Sequence, residues 1–266
     1  MSETAVLVHS DLAELAQAAA ARIVARLLDA QVARGSASLV LTGGRGGDAV
    51  HRALRDCPAR AAVDWSQVDI WWGDERFLPH GDPQRNETQA RAALLDALAL
   101  DPARVHPMPA SDGPDGDDPE GAAARYAEQL AQASQPARLP YFDLLMLGVG
   151  EDGHVASTFP EHPAAYDTRP VTAVRGSPKP PPVRITLTLP TLNKAAEVWL
   201  IATGTEKAKV VGIALSECEK RGECEMPGGP GPVQLPAAGV HGLDRTIWLL
   251  DRAAAAQVPP ALRSHR

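Results

Sequence analysis

Residues 144–163 read LLMLGVGEDGHVASTFPEHP. An apolar run, Leu144 to Leu147, gives way to Gly148, Gly150 and Gly153, with Glu151, Asp152 and His154 among and after the glycines. The glycines spell G-x-G-x-x-G, which in a dinucleotide loop opens a long helix with an acidic residue about 20 positions on. Here Pro160 and Pro163 interrupt any helix starting near Gly153, and the next strand-like stretch, PVTAVRGS, runs into Arg175 rather than a carboxylate. A metal site needs more ligands than Asp152 and His154, and no partner motif supplies them. A structural histidine would cap a turn or satisfy a carbonyl. A histidine directly after a glycine turn at a strand end favours acid–base or ligand-binding chemistry instead, because an imidazole can both take and give a proton near neutrality.

Two other stretches have the same form. SLVLTGGRGG ends an apolar run in Gly43, Gly44 and Arg45, and DIWWGDERF ends one in Asp74 and Arg76. The elements around them alternate. Residues 11–33 carry Leu12, Leu15, Ala19, Ile23 and Leu27 at helical spacing, with Asp11 and Glu14 as a capping pair. Helices are also expected at DAVHRALRD, at 86–99, at GAAARYAEQLAQA and at TEKAKVVGIALSE. Strands are expected at SASLVLTGG, QVDIWWGDERF, FDLLMLGVG, VRITLTLP, EVWLIATG and TIWLLD, the first of them following the N-terminal helix. PASDGPDGDDPEG and MPGGPGPVQLP read as loops. This alternation predicts an α/β fold with a largely parallel sheet and helices on both faces. In such sheets ligands bind beyond the carboxyl ends of the strands, so the three polar strand ends are expected to converge. Trp71 and Trp72 are expected in the strand core, and His162, after a proline, in solvent.

The chain has 266 residues, 44% hydrophobic and 22% charged, with a formal net charge of −7. No repeat or linker splits it, so residues 1–266 are read as one domain. The acidic balance argues against nucleic acid, which favours basic faces, while a few local cations can still bind a small anion. Cys57, Cys218 and Cys224 are too few for a disulfide framework. Cys218 and Cys224 could pair or hold a metal, but no second ligand pair lies near, so no metal is expected. MSETAVLVHSDL lacks a cationic segment followed by a long apolar one, and no apolar run reaches about 18 residues, so a cytoplasmic protein with no membrane contact is expected.

Four ordered motifs carry a family resemblance. GVGEDGHVASTFP is similar to the Asp-Gly-His-x-Ala-Ser motif of 6-phosphogluconolactonases, and WGDERFLPHGDPQRNETQARAALL resembles that family's second motif. PPVRITLTLP and ATGTEKAKVV resemble its third and fourth, so the likeness runs from about residue 37 to 251. The resemblance implies a Rossmann-like α/β fold and hydrolysis of 6-phosphogluconolactone to 6-phosphogluconate in the oxidative pentose phosphate pathway, with no cofactor. It implies His154 as general base and acid, Asp74 as a second catalytic residue, and Gly43, Gly44, Arg45, Arg76, Asp152, Arg184 and Lys207 around a sugar-phosphate lactone. Asp74 would orient Arg76 or a hydroxyl, and Asp152 would orient His154 or cap its turn. The first loop departs from the superfamily's Gly-Gly-Ser-Thr-Pro: its hydroxyls are replaced by Arg45 and glycines, leaving backbone N–H groups and one cation.

Two other functions fit the same fold. Isomerase-deaminases of amino-sugar phosphates share the Asp-Gly-His segment, but their glutamate falls on Phe159, and Glu161 lies beyond Pro160. A sugar-phosphate sensor would add a DNA-binding helix pair, for which the N-terminus offers one helix. A monomer or weak homodimer is expected.

Overall fold

The structure, a computed structural model, describes residues 3–134, 139–220 and 231–262, with side chains described to residue 216 in the middle segment. In chain order its elements are β1 (Glu3–His9), α1 (Leu12–Arg34), β2 (Ala37–Leu41), α2 (Gly44–Asp56), β3 (Val68–Trp72), β4 (Asp74–Arg76), α3 (Asn86–Ala93), α4 (Pro119–Ala133), β5 (Leu144–Gly148), β6 (Val171–Val174), β7 (Arg184–Leu187), α5 (Leu189–Leu192), β8 (Glu197–Ala202), α6 (Ala208–Lys220), α7 (Pro236–Gly239) and β9 (Arg245–Asp251).

The main sheet has six strands in the order β1-β9-β8-β5-β2-β3, all parallel. Its inner strands are apolar on both faces because helices cover both: β2 and the Leu144–Leu147 run of β5 are buried throughout. Trp71 and Trp72 are buried as expected, with the Trp71 ring stacked 3.8 Å from that of His106. A smaller antiparallel sheet, β4-β7-β6, stands beside the carboxyl ends of β2 and β3.

Three expectations need correction. A strand precedes α1: β1 pairs with β9 from Glu3↔Arg245 to His9↔Asp251, so the N-terminus extends the sheet edge. QVDIWWGDERF is two strands, not one. Gly73 divides it, donating its N–H to Leu41 of the main sheet (3.2 Å) while its carbonyl accepts from Leu187 of the small sheet (2.9 Å). Downstream, the helix expected over 86–99 ends at Ala93, where Leu94 leaves the helical region and a 3₁₀ turn, Leu95–Ala97, follows.

The capping of α1 is close to expectation. Asp11 accepts from the Glu14 N–H (2.9 Å), but the Glu14 carboxylate reaches back to the Ser10 N–H (2.6 Å), one residue before the cap. Gly35 closes the helix with φ 77°. No helix among the described residues is long and apolar enough to cross a membrane.

Candidate active site

The carboxyl ends of β2, β5 and β8, with β4 and β7 of the small sheet, surround a cavity of about 460 Å³. Eight of the nine site residues expected from the sequence line it: Gly43, Gly44, Arg45, Asp74, Arg76, His154, Arg184 and Lys207. The ninth, Asp152, lies behind His154, its Oδ1 2.5 Å from His154 Nδ1 and 3.2 Å from the His154 N–H.

The glycines of the opening stretch serve this placement. Val149 N–H continues the ladder to Ile201, and then Gly150 and Gly153 close a turn: Gly150 N–H to His154 carbonyl (2.9 Å), Gly153 N–H to Gly150 carbonyl (3.0 Å). A Cβ on Gly150 would stand 2.0 Å from His154 Nδ1, so only glycine lets the imidazole lie against the turn. Gly153 sits at φ 83°, with Leu235 where a side chain would go. The spelling G-x-G-x-x-G thus builds a histidine platform. Burial pushes the Asp152 carboxyl up, but the hydrogen bonds and charge of His154 outweigh it and hold Asp152 down at about 2. An ionised Asp152 accepts the Nδ1 proton, which leaves the Nε2 lone pair as the basic site. Of the two roles expected for Asp152, orienting His154 or capping its turn, the geometry fits both, since one carboxylate oxygen meets both the ring Nδ1 and the backbone N–H of His154.

Among the described residues Asp74 makes no ion pair with Arg76. Its Oδ2 accepts from Ser157 Oγ (2.6 Å) and lies 3.9 Å from Arg184 Nη1, and Asn86 Nδ2 donates to its carbonyl (2.9 Å). Arg76 is held instead by the Gln84 carbonyl (2.5 Å), and its buried Nε has no partner among the described residues. Underneath, Glu75 is fully buried and accepts the N–H groups of Arg76, Asn86 and Glu87 (2.7, 2.7 and 2.9 Å). It thereby supplies to α3 the N-terminal cap that Arg85 does not.

On the opposite wall, α2 begins at Gly44 (φ 79°) with no side-chain cap, so its first N–H groups face the cavity. A Cβ on Gly43 would strike Asn86 Oδ1 at 1.9 Å, which explains glycine there. Arg45 is two-thirds exposed and reaches Thr203 (3.4 Å) and Glu206 (3.5 Å). Lys207 is half-buried; burial first, then the Arg45 charge, pushes its ammonium down, against Glu206.

Sequence reasoning missed Lys179, Asn86, Glu151, Thr203 and Glu206 among the lining residues, and Ser157 behind them. Lys179 sits in a Pro-rich run that carries no periodicity, and Asn86 reads as a plain helix start. His162 is not free in solvent: its Nδ1 accepts from the Ala164 N–H (3.3 Å) and its Nε2 bonds the Arg175 carbonyl (2.9 Å). Phe159 is buried with its ring 4.5 Å from the His154 ring and 5.7 Å below the Arg184 guanidinium. Among the described residues no group of three or more His, Cys, Asp or Glu could hold a metal ion, and the Cys218–Cys224 question lies outside the described side chains.

Fold and pocket together define an α/β protein with a cavity rich in charged side chains at the carboxyl edge of a parallel sheet. The family model described as glucosamine-6-phosphate isomerases/6-phosphogluconolactonase matches residues 10–248, and the chain belongs to that family. It is 57% identical over 267 aligned residues to a 6-phosphogluconolactonase of Streptomyces coelicolor, covering 98% of each chain. It is 46% identical to one of Mycobacterium tuberculosis, over 92% of this chain and 94% of that one. The solved 6-phosphogluconolactonase of Trypanosoma brucei superposes with a TM-score of 0.79 at 26% identity, over 97% of this chain and all of that one. A monomeric glucosamine-6-phosphate deaminase shares the fold at 20% identity and TM-score 0.74.

Proposed function

We propose that this chain hydrolyses 6-phosphogluconolactone to 6-phosphogluconate, the second step of the oxidative pentose phosphate pathway. The observation that carries the chemistry is the Asp152–His154 pair, 2.5 Å apart, at the wall of a cation-lined cavity. His154 Nε2 takes a proton from water as the oxygen adds to the lactone C1. The tetrahedral intermediate then collapses, the C1–ring oxygen bond breaks, and the imidazolium returns the proton to that oxygen. The ester needs no covalent enzyme intermediate. Asp152 stabilises the imidazolium between the two transfers.

The phosphate end is held by Lys207, the N–H groups at Gly44–Gly46, Arg76 and the part of Arg184 that faces the cavity. Arg45 stands at the mouth with Glu206. Asp74, fixed through Ser157 and Asn86, accepts from a sugar hydroxyl.

One observation bears on the deaminase reading. Aldose–ketose isomerisation moves a proton from carbon, which needs a base over that carbon. The corresponding position, Phe159, is a buried ring packed on His154. Glu161 is exposed and does not line the cavity. A spectrophotometric assay of lactone hydrolysis, with ammonia release from glucosamine 6-phosphate measured on the same sample, tests the assignment. Hydrolysis without ammonia is expected; ammonia at a comparable rate would reverse the order of the two readings.

A further inference from the structure

Asp251 is the last residue of β9 and does not line the active-site cavity. It is half-buried, and its carboxylate is taken up by backbone N–H groups of two other segments. Both oxygens meet the Gly204 N–H (Oδ1 3.1 Å, Oδ2 3.0 Å), and Oδ1 also accepts from the Ala254 N–H (2.7 Å). β8 and β9 pair as far as Ala202↔Leu250, so Asp251 leaves the sheet beside the turn that follows β8.

That turn forms one wall of the cavity, which Thr203, Glu206 and Lys207 all line. Gly204 sits at φ 99°, ψ 152°, a conformation essentially confined to glycine. A Cβ there would stand 2.3 Å from the Glu206 carboxylate, which lies against the turn. The 3₁₀ turn Thr205–Lys207 then runs into α6, and Gly204, at its start, has no side chain to cap it. Lys207 N–H reaches the Gly204 carbonyl at 3.3 Å. The anchor for this segment therefore comes from a neighbouring strand, through Asp251. The second bond of that carboxylate, to Ala254, begins a 3₁₀ turn, Ala254–Gln257, that also lacks a side-chain cap of its own. This turn packs on α6: a Cβ on Gly212 would stand 2.6 Å from the Gln257 carbonyl. One carboxylate thus fixes both the turn that opens α6 and the turn packed against that helix. An ionised carboxylate accepts at both oxygens and donates nothing, which suits these contacts; an amide does not.

We infer that Asp251 is a positioning residue for substrate binding: from outside the cavity it holds the 203–207 wall so that Lys207 presents its ammonium to the substrate. The inference rests on the reading above in which Lys207 holds the phosphate end. His154 stands on the turn after β5, a different strand, so Asp251 acts on binding and not on proton transfer.

Calorimetric binding of 6-phosphogluconate to the wild type, Asp251→Asn, Lys207→Ala and the double variant tests this without turnover. Asparagine keeps the shape but offers only one oxygen and sets an N–H against a backbone N–H. Asp251→Asn is expected to weaken 6-phosphogluconate about tenfold, the scale of one charge-assisted hydrogen bond. In the Lys207→Ala background the same substitution should cost less than about twofold, because the wall no longer carries the group being positioned. Gly204→Ala disturbs the same turn from within and should show the same dependence on Lys207, which keeps the test open should Asp251→Asn fail to fold. In steady-state kinetics Asp251→Asn should raise KM while kcat stays within about twofold. Equal losses in the two backgrounds would make Asp251 a stabiliser of the fold at large and overturn the inference. Wild-type affinity in Asp251→Asn, with a loss in Lys207→Ala, overturns the inference alone. Wild-type affinity in Lys207→Ala overturns the reading of Lys207 and the inference with it.

Discussion

Two glycines at strand ends show how unequal such residues are. Gly73 joins the two sheets through its backbone alone, and the nearest atom to a Cβ there is 3.8 Å away, an ordinary contact. Gly150 has the His154 ring 2.0 Å from that point. Gly150→Ala should therefore displace the imidazole from its place against Asp152, with turnover falling about 10²-fold or more while the protein stays folded, the scale expected for losing a positioned general base. Gly73→Ala should keep turnover within about twofold. Steady-state kinetics and circular dichroism on the two variants compare them, and near-normal turnover in Gly150→Ala would show that the ring position is not what limits the reaction. His154→Ala sets the floor for the series and should also lose about 10²-fold or more in kcat. Asp152→Asn keeps the shape but removes the charge that stabilises the imidazolium, so kcat should fall about tenfold or more with little change in KM.

At the scale of elements, the small sheet does most to place the polar side chains. β4 brings Asp74 and Arg76, β7 brings Arg184, and buried Glu75 ties β4 to the start of α3. Burial pushes the Glu75 carboxyl up to about 7, against Arg85 and the three backbone N–H groups that favour its charge. Glu75→Gln cannot accept at both oxygens, so one helix-capping N–H is left buried and unbonded. We expect a loss of about 2–4 kcal/mol in urea denaturation, together with a higher KM because Asp74 and Arg76 flank the residue. A stability change below about 0.5 kcal/mol would mean that α3 starts without this cap. The same elements show what was legible. The inner strands were readable because a strand buried on both faces is a continuous apolar run bounded by glycine. The split at Gly73 was not readable, because the residues on both sides have strand character and only the partner strands, β2 and β7, separate them. β1 was missed because it lies at the sheet edge, mostly exposed or half-buried, and pairs with the other end of the chain. His154 was visible from its glycine turn. Lys179 was not, because it lies in a proline-rich run with no periodicity, and its backbone is held by Ser177 and Arg184 through hydrogen bonds that no sequence pattern announces.

For the molecule as a whole, α2 has a second consequence beyond its N-terminus. His51, on the helix face packed inward, is 3% exposed, and its Nε2 has no hydrogen-bond partner among the described residues. Burial lowers its pKa from 6.5 to about 4, with Asp48 acting weakly in the opposite direction. A histidine lowered in the folded state favours folding when neutral, so its contribution is fully present above pH 6.5 and is lost as pH falls toward 4. The difference corresponds to about 3 kcal/mol at most, at 1.36 kcal/mol per pH unit. Glu75 works the other way in an overlapping window: with its folded pKa raised toward 7, the native state binds a proton before the unfolded chain does, and stability rises as pH falls from about 7 to 4.5. Asp152 and Asp167, both held at about 2, lose their contributions only below the unfolded carboxylate range and stay outside this window. The wild-type stability curve alone therefore mixes two opposed terms. The difference between wild type and His51→Leu isolates the histidine. The stability difference from urea denaturation should shift in favour of the leucine variant as pH falls from 7.5 to 4, by an amount approaching about 3 kcal/mol at pH 4. A constant offset across the range would mean that His51 titrates alike in the folded and unfolded chains.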